Sequence, residues 1–417
     1  MSPNIPVQPS IAAVFLRIGL LSFGGPAAQI ALMQSELVDR YKWISQDDFL
    51  KVLSFCMLLP GPEAMQLATY IGWQRAGVWG GLIAGALFVI PGAVVVAVMA
   101  LTYVTYGHVS LVAGAFYGIQ AVVVLIVAQA LWRLCGRAFP QKAHIAIAIV
   151  AFGALFAYGV PFPMVILCAM AVGALIGAQG GTGRRPPLQH VGWPAVWVAT
   201  AWGLPLLIII LWAPAFYRDL AVFFSTLAVV SFGGAYAVLT YLTQTVVQDH
   251  GWVTTAQMID ALGLAETTPG PLILVTQFVG MIAGHTVGGW VTALWAGVIT
   301  LWMTFLPCFL WVFALGPYLD RLTAHPRLMG ALSGVTAAVV GVMATLSIWF
   351  GLHVYFDTVW QWHILGAIVP QPHWASVDMG VVGITVLFAV PVLTGRIPLP
   401  WIITAAACAG AILQSVA

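Results

Sequence analysis

The sequence predicts an all-α polytopic membrane protein: two inverted-topology structural repeats with broken or re-entrant helices, joined by a linker transmembrane helix. Three observations lead there. Of the 417 residues, 62% are hydrophobic and only 6% charged, with mean hydropathy +1.02, whereas soluble domains carry about 25% charged residues. The apolar stretches are long and continuous, which is the pattern of membrane helices and not of the short alternating strands of a barrel. Finally, one arrangement of helix breakers occurs twice. Ser22-Phe23-Gly24-Gly25 is followed by Pro60-Gly61-Pro62, and Ser231-Phe232-Gly233-Gly234 is followed at the same spacing by Pro269-Gly270-Pro271. Trp43 matches Trp252 and Leu53 matches Leu262 in the same register. Gly and Pro interrupt helices, so the same two interruptions at one spacing indicate a duplicated fold.

Met1 to Ser10 holds no Lys or Arg, so it lacks the basic start of a signal peptide, and the first apolar segment is expected to be retained. Segments 11–34 and 218–243 are long enough to cross a membrane, but each carries a Ser-Phe-Gly-Gly break in its middle. Segments 46–59 and 62–75 are short and meet at Pro60-Gly61-Pro62; their partners 255–268 and 270–284 meet at Pro269-Gly270-Pro271. Short paired half-helices of this kind indicate re-entrant or discontinuous helices. Ser45 followed by Asp48 has the spacing of an N-cap, which starts a helix near residue 46.

Full spans of about 20 residues are expected near 77–105, 109–133, 145–160, 161–179, 194–213, 288–315, 328–352, 376–393 and 398–416. The repeat extends through them: Gly80-Gly81 matches Gly288-Gly289 after one gap, Pro91 matches Pro307, and Gly118–Val124 matches Gly334–Val340. The expected organisation is an N-terminal repeat over 1–179, a linker loop and linker helix over 180–217, and a C-terminal inverted repeat over 218–417.

Loop charge gives the two repeats opposite orientations. Arg40, Lys42 and Lys51 lie in loop 34–51, whose counterpart 243–260 has no cation; Arg133, Arg137 and Lys142 lie in loop 133–144, whose counterpart 351–376 has none. The bias reverses at the turn near Tyr106, which lacks cations while 316–327 holds Arg321 and Arg327. If the regions before 77 and 288 return to the side they start from, these cations, Arg184-Arg185 and Arg396 all fall in the cytoplasm, with Arg75 there too if 46–75 is re-entrant from that side. The N-terminus is then inside and the C-terminus outside, with Arg218 the exception. If 11–34 crosses fully instead, loop 34–51 lies outside.

Inverted repeats with broken helices are a secondary-transporter architecture, with substrate held near the midplane. A helix that starts inside the membrane leaves its first N–H groups unpaired and turns the positive end of its dipole into the cavity, where it can hold an anion. Four such starts are expected, after Gly25, Pro62, Gly234 and Pro271. The candidate substrate-binding residues are Arg17, Ser22, Gly24, Gly25, Pro60, Gly61, Pro62, Gln66, Ser231, Gly233, Gly234, Thr267, Thr268, Pro269, Gly270 and Pro271, with Gln277 a further polar neighbour. Arg17 is an intramembrane cation and therefore costly unless it serves a function. Glu63 and Glu266 flank the two Pro-Gly-Pro turns and are candidate coupling carboxylates. Lys51 and Asp260 occupy matching positions with opposite sign, so the halves are chemically unlike.

The five Cys are scattered and the nine His do not cluster at ligand spacing, so no metal and no cofactor are expected. No HExxH, P-loop, GxSxG or placed GxGxxG indicates an enzyme or an ATP-driven pump. A net charge of +2 points to no nucleic acid; the expected partners are an oxyanion and membrane lipid, and a homodimer is compatible.

Phe15–Pro26, Trp43–Phe49 and Leu59–Pro62 resemble the N-terminal domain of the chromate ion transporter family. Val230–Gly234, Ala265–Leu272 and Gly334–Val340 resemble its C-terminal domain, so the resemblance covers essentially the whole chain and matches the long, two-domain branch. It implies a multi-pass protein of the bacterial inner membrane that exports chromate and confers chromate resistance; with no ATP-pump motif, the expected energy source is an ion gradient, the membrane potential or a counter-anion. Transport of another oxyanion such as sulfate is the alternative, and a membrane-embedded reductase a more distant one. Ala235 stands where the first copy has Pro26, so the second helix start is expected to be softer.

Overall fold

A computed structural model describes residues 9–107, 109–139, 141–177, 192–232, 235–323, 325–364 and 366–416. The N-terminal stretch 1–8, the linker loop with Arg184-Arg185, and Gly233 and Gly234 lie outside the described residues. The described residues are predominantly helical, and five of the helices are long and apolar enough to cross a membrane.

The first half opens with α1 (Ile11–Leu21) and α2 (Gly25–Gln34), the latter running into a π-helical turn (Ser35–Arg40). Between α1 and α2 the chain turns back. Arg17 lies 3.5 Å from Glu36 and the Phe15 and Trp43 ring centres are 6.3 Å apart, whereas a continuous helix would separate residues 17 and 36 by about 28 Å. Gly24, at φ +86°, makes the turn, a conformation that costs a residue with a Cβ. The break is thus the tip of a V and not the middle of a crossing helix.

Helix α3 (Gln46–Cys56) starts where Ser45 Oγ accepts the Asp48 N–H at 3.1 Å, the predicted cap. Beyond Pro60-Gly61-Pro62, α4 (Glu63–Tyr106) begins; it loses helical geometry at Ala76 and Gly77. The piece 63–75 is about 20 Å long and α3 about 17 Å. Neither is long enough to cross the roughly 30 Å hydrocarbon core alone, as expected of two half-helices meeting at a break. Residues 78–106 then run as a helix long and apolar enough to cross, followed by α5 (Ser110–Ala138) and the hairpin α6 (Lys142–Phe156) and α7 (Phe162–Gly177).

After α8 (Trp193–Trp212) the same series recurs: α9 (Ala215–Val230), α10 (Ala235–Thr243) with a π-helical turn (Gln244–Asp249), α11 (Thr255–Thr267), and α12 (Val275–Leu315), which is interrupted at Gly288 and Gly289. Trp252 lies 6.0 Å from both Phe216 and Phe223, so this V also closes on itself. The kinks correct one sequence match. Gly77 (φ +63°) and Gly289 (φ +73°) occupy the left-handed kink, while Gly80 and Gly81 lie within the helix, where Gly80 packs on the backbone of Gly72. The sequence match followed residue identity; the kink selects the residue whose φ must be positive.

A short α13 (Leu319–Thr323), then α14 (Pro326–Tyr355), α15 (Met379–Thr394) and α16 (Leu399–Val416) complete the chain. The stretch read as a loop, 351–376, holds a β-hairpin, β1 (Val359–Ile364) and β2 (Ala367–Pro372), paired antiparallel from Val359–Pro372 to Ile364–Ala367. The two halves interlock. α14 packs on α7 and α6 of the first half, and α5 packs on α16 and α15 of the second. Each crossing uses glycines spaced four apart: Gly330 and Gly334 meet Gly173 and Gly177, and Gly114 and Gly118 meet Gly410 and the Ala406 carbonyl. Small residues at this spacing let helix backbones approach closely in a membrane.

Candidate functional site

The breaks of the two halves meet each other reciprocally. The Gly61 N–H of the first Pro-Gly-Pro donates to the Ser231 carbonyl of the second Ser-Phe-Gly-Gly at 2.9 Å. The Gly270 N–H of the second Pro-Gly-Pro donates to the Ser22 carbonyl of the first, also at 2.9 Å. The packing around them corresponds too. A Cβ on Gly61 would stand 2.7 Å from Cys308 Sγ, and one on Gly270 would stand 3.3 Å from Gly92 Cα. Cys308 and Gly92 each follow the matched proline, Pro307 or Pro91, of a long crossing helix. Both Pro-Gly-Pro glycines have positive φ, +114° and +87°, so the turns need glycine for backbone geometry as well as for space.

Buried polar side chains fasten this centre. Gln29 Nε2 donates to the Gly270 carbonyl at 2.6 Å, Gln66 Nε2 to the Pro60 carbonyl at 2.6 Å, and Gln277 Nε2 to the Ala93 carbonyl at 3.1 Å. Ser22 and Ser231 are buried; their hydroxyls donate to the carbonyls of Ile18 and Ala228. Thr267 and Thr268 likewise return to α11, to the Leu264 and Ala265 carbonyls. Gln66 Oε1 and Gln277 Oε1 are buried without a hydrogen-bond partner among the described residues, as are the Thr300 and Thr304 hydroxyls one turn apart on α12. Buried polar atoms of this kind are ready to meet a water or a ligand.

The helix starts differ in form. α2 begins at Gly25 with Pro26 in its first turn, α4 begins at Glu63 behind Pro62, and α10 begins at Ala235. The fourth starts as a single 3-10 turn, Leu272–Leu274, before α12 takes over. Pro60, Pro62, Pro269 and Pro271 hold the two turns in the buried interior. Glu63 is half-buried at the first turn of α4, and Glu266 is buried near the end of α11. Arg17 is half-exposed and pairs with Glu36, which Arg40 also engages at 3.1 Å; the break residues and Arg17 are therefore on one V but at different levels.

Sequence reasoning passed over three elements of the site: Gln29, the π-helical turns that end each V, and the polar partners of the matched positions 51 and 260. Lys51 Nζ reaches Asp320 at 2.5 Å. This pair sits in a cleft of about 310 Å³ lined also by Asp48, Tyr70 and Gln74. Asp260 accepts from Tyr103 and Gln120. A second cleft of about 450 Å³ lies under the β-hairpin, between α10 and α14, with Thr240, Gln244, Thr345, His353 and Gln361 in its lining. Only the opposite signs of Lys51 and Asp260 were legible beforehand; their partners belong to the other half of the chain.

A family model described as Chromate transporter matches residues 9–178 and 218–411. The chain is 32% identical over 348 residues to the chromate transport protein of Pseudomonas aeruginosa, covering 82% of this chain and 80% of that one. It is 27% identical over 406 residues to the probable chromate transport protein of Synechococcus elongatus, covering 96% and 94%. The uncharacterized transporter YwrB of Bacillus subtilis is 29% identical over 167 residues, 39% of this chain but 85% of that one. No solved structure matches this chain.

Proposed function

The chain belongs to the chromate transporter family, a transport protein and not an enzyme, and from that premise we propose that it is a secondary active transporter exporting chromate across a bacterial inner membrane. The observation that carries a transport mechanism is the reciprocal pair of hydrogen bonds, Gly61 to Ser231 and Gly270 to Ser22, which gathers the helix breaks of both halves at one buried centre. Two inverted repeats account for this exchange of partners: each Pro-Gly-Pro turn meets the other half's Ser-Phe-Gly-Gly turn. The half-length relative from Bacillus subtilis supports a repeat that corresponds to about one half.

In this reading chromate binds beside the breaks, in contact with N–H groups at the first turns of α2, α4, α10 and α12. Those groups and the helix dipoles favour a doubly charged tetrahedral anion without a full buried cation. Arg17 contributes positive potential on the same V, and Ser22, Ser231, Gln66, Thr267 and Thr268 contribute neutral hydrogen-bonding groups. Glu63 and Glu266, beside the two Pro-Gly-Pro turns, are carboxylates placed to take part in coupling. The loop cations favour a cytoplasmic N-terminus and a periplasmic C-terminus.

The test is chromate flux into proteoliposomes holding the purified chain, with and without a pH gradient. Flux above empty vesicles is expected, and its absence overturns the substrate. Sulfate that competes fully with chromate, and is carried equally well, would make the chain a general oxyanion carrier.

A further inference from the structure

We propose that Asp260 is a proton-binding latch between the two halves, and so a coupling residue that neither Pro-Gly-Pro turn contains. This rests on the transport reading above and names the group through which protons would enter the cycle. Asp260 lies in the short re-entrant helix α11 of the second half and is buried. Both carboxylate oxygens are held by the first half: Tyr103 Oη donates to Oδ2 at 2.7 Å from α4, and Gln120 Nε2 donates to Oδ1 at 2.6 Å from α5. Asp260 takes part in none of the ion pairs among the described residues. A carboxylate inside a membrane is costly and is kept where it binds an ion or a proton.

On α4, Glu63 and Arg75 lie 40 and 28 residues along the chain from Tyr103. α11, α12 and α16 contain no Lys or Arg. On α5, Arg133 is about 20 Å along the helix from Gln120, and Tyr117 is bonded to Asp378. On α12, Cys308 packs against Gly61 and the His285 ring against Trp290; on α16, Cys408 is exposed. Glu266 follows on α11 itself.

The chemistry of the latch is a proton balance. As a carboxylate, Asp260 only accepts, and it accepts two hydrogen bonds strengthened by its charge. When a proton from water binds Oδ2, that oxygen becomes a donor, the Tyr103 hydroxyl can turn to accept from it, and both bonds lose their charge assistance. One proton thereby loosens α11, and the Pro269-Gly270-Pro271 turn that follows it, from α4 and α5. The matched position in the first half, Lys51, is also tied to the other half, through Asp320, but there an exposed pair of opposite charges makes the tie. The two ties differ in kind, and the one at Asp260 is the one a single proton converts.

The experiment uses the full-length chain in proteoliposomes, comparing wild type, Asp260→Asn, Asp260→Glu and Tyr103→Phe. For wild type and Asp260→Glu, chromate flux should rise several-fold under an imposed pH gradient. Asp260→Asn should retain chromate–chromate exchange at equal pH and lose that rise. Tyr103→Phe should keep the rise with a displaced pH midpoint, which covers the case of an unstable Asp260→Asn protein. A full gradient response in Asp260→Asn overturns the proposal, and so does a wild type that exchanges chromate without any gradient response. Should wild type move no chromate at all, the transport reading fails separately. The latch is then judged by infrared difference spectra, in which acidification should produce a protonated-carboxyl band in wild type that Asp260→Asn lacks; no such difference overturns it.

Discussion

The backbone N–H of Gly270 donates to the carbonyl of Ser22 across the whole sequence separation of the two halves, at 2.9 Å. Gln29 reaches the same glycine from the other side, its Nε2 donating to the Gly270 carbonyl. One residue of the second half is thus held at both its backbone polar groups by the first V. The arrangement satisfies buried backbone groups that a broken helix leaves unpaired, and it makes each half the template for the other's break.

Gly61→Ala and Gly270→Ala should each destabilise the protein and abolish transport. Both positions have positive φ, which costs a residue with a Cβ about 1–3 kcal/mol. At Gly61 the new methyl group also meets Cys308 Sγ. Thermal unfolding in detergent should show the lower midpoint, with the greater loss expected at Gly61. A Cys308→Ala change in the Gly61→Ala background should recover part of it.

Gln29→Ala should cost about 1–3 kcal/mol, the penalty of leaving the buried Gly270 carbonyl without its side-chain donor. Gln29→Glu should be at least as harmful, because a carboxylate cannot donate to a carbonyl. Unfolding measurements check both, and a Gln29→Ala protein with unchanged stability would remove this bond from the centre.

Gly118→Val and Gly334→Val should separate α5 from α16 and α14 from α7 respectively. A Cβ at Gly118 clashes with the Ala406 carbonyl, and one at Gly334 with the Ala169 carbonyl. Overpacking of this kind costs about 1–3 kcal/mol or more. Because each crossing joins one half to the other, loss of either should lower the stability of the whole chain in a single unfolding transition.

The Lys51–Asp320 pair should contribute little to stability. Its side chains are 51% and 70% exposed, and exposed pairs give about 0–1 kcal/mol. Lys51→Asp combined with Asp320→Lys should restore whatever flux the single changes lose. A double-mutant cycle of flux and of unfolding separates a role in the transport cycle from a role in folding.

Arg17→Ala should lower chromate affinity while leaving the fold intact, since Arg40 still engages Glu36. Chromate binding by isothermal calorimetry, compared between Arg17→Ala and Arg17→Lys, checks this. Equal affinity in wild type and Arg17→Ala would assign Arg17 to the Glu36 pair alone.

By itself the sequence determined the membrane class, five of the nine expected spans as helices long and apolar enough to cross (the other four are shorter apolar helices), the half-helices meeting at Pro60-Gly61-Pro62 and Pro269-Gly270-Pro271, and the Ser45 cap. Each of these follows from local chemistry: apolar run length, helix breakers, and a side chain that reaches three residues along. It also marked Gly61 and Gly270, because glycine and proline are costly inside helices, and Ser22 and Ser231 as polar groups beside the breaks. Only the tertiary structure decided what these residues touch. Ser22 meets Gly270 and not its own Pro-Gly-Pro; α14 packs on α7 and α5 on α16; Arg17 turns to Glu36; Asp260 finds Tyr103 and Gln120. The β-hairpin at 359–372 and the kink at Gly77 belong with these. The physical reason is common to all of them. Hydropathy and breaker spacing are set by neighbours within a few turns, whereas the choice of partner depends on which helix faces come close once both halves have folded together.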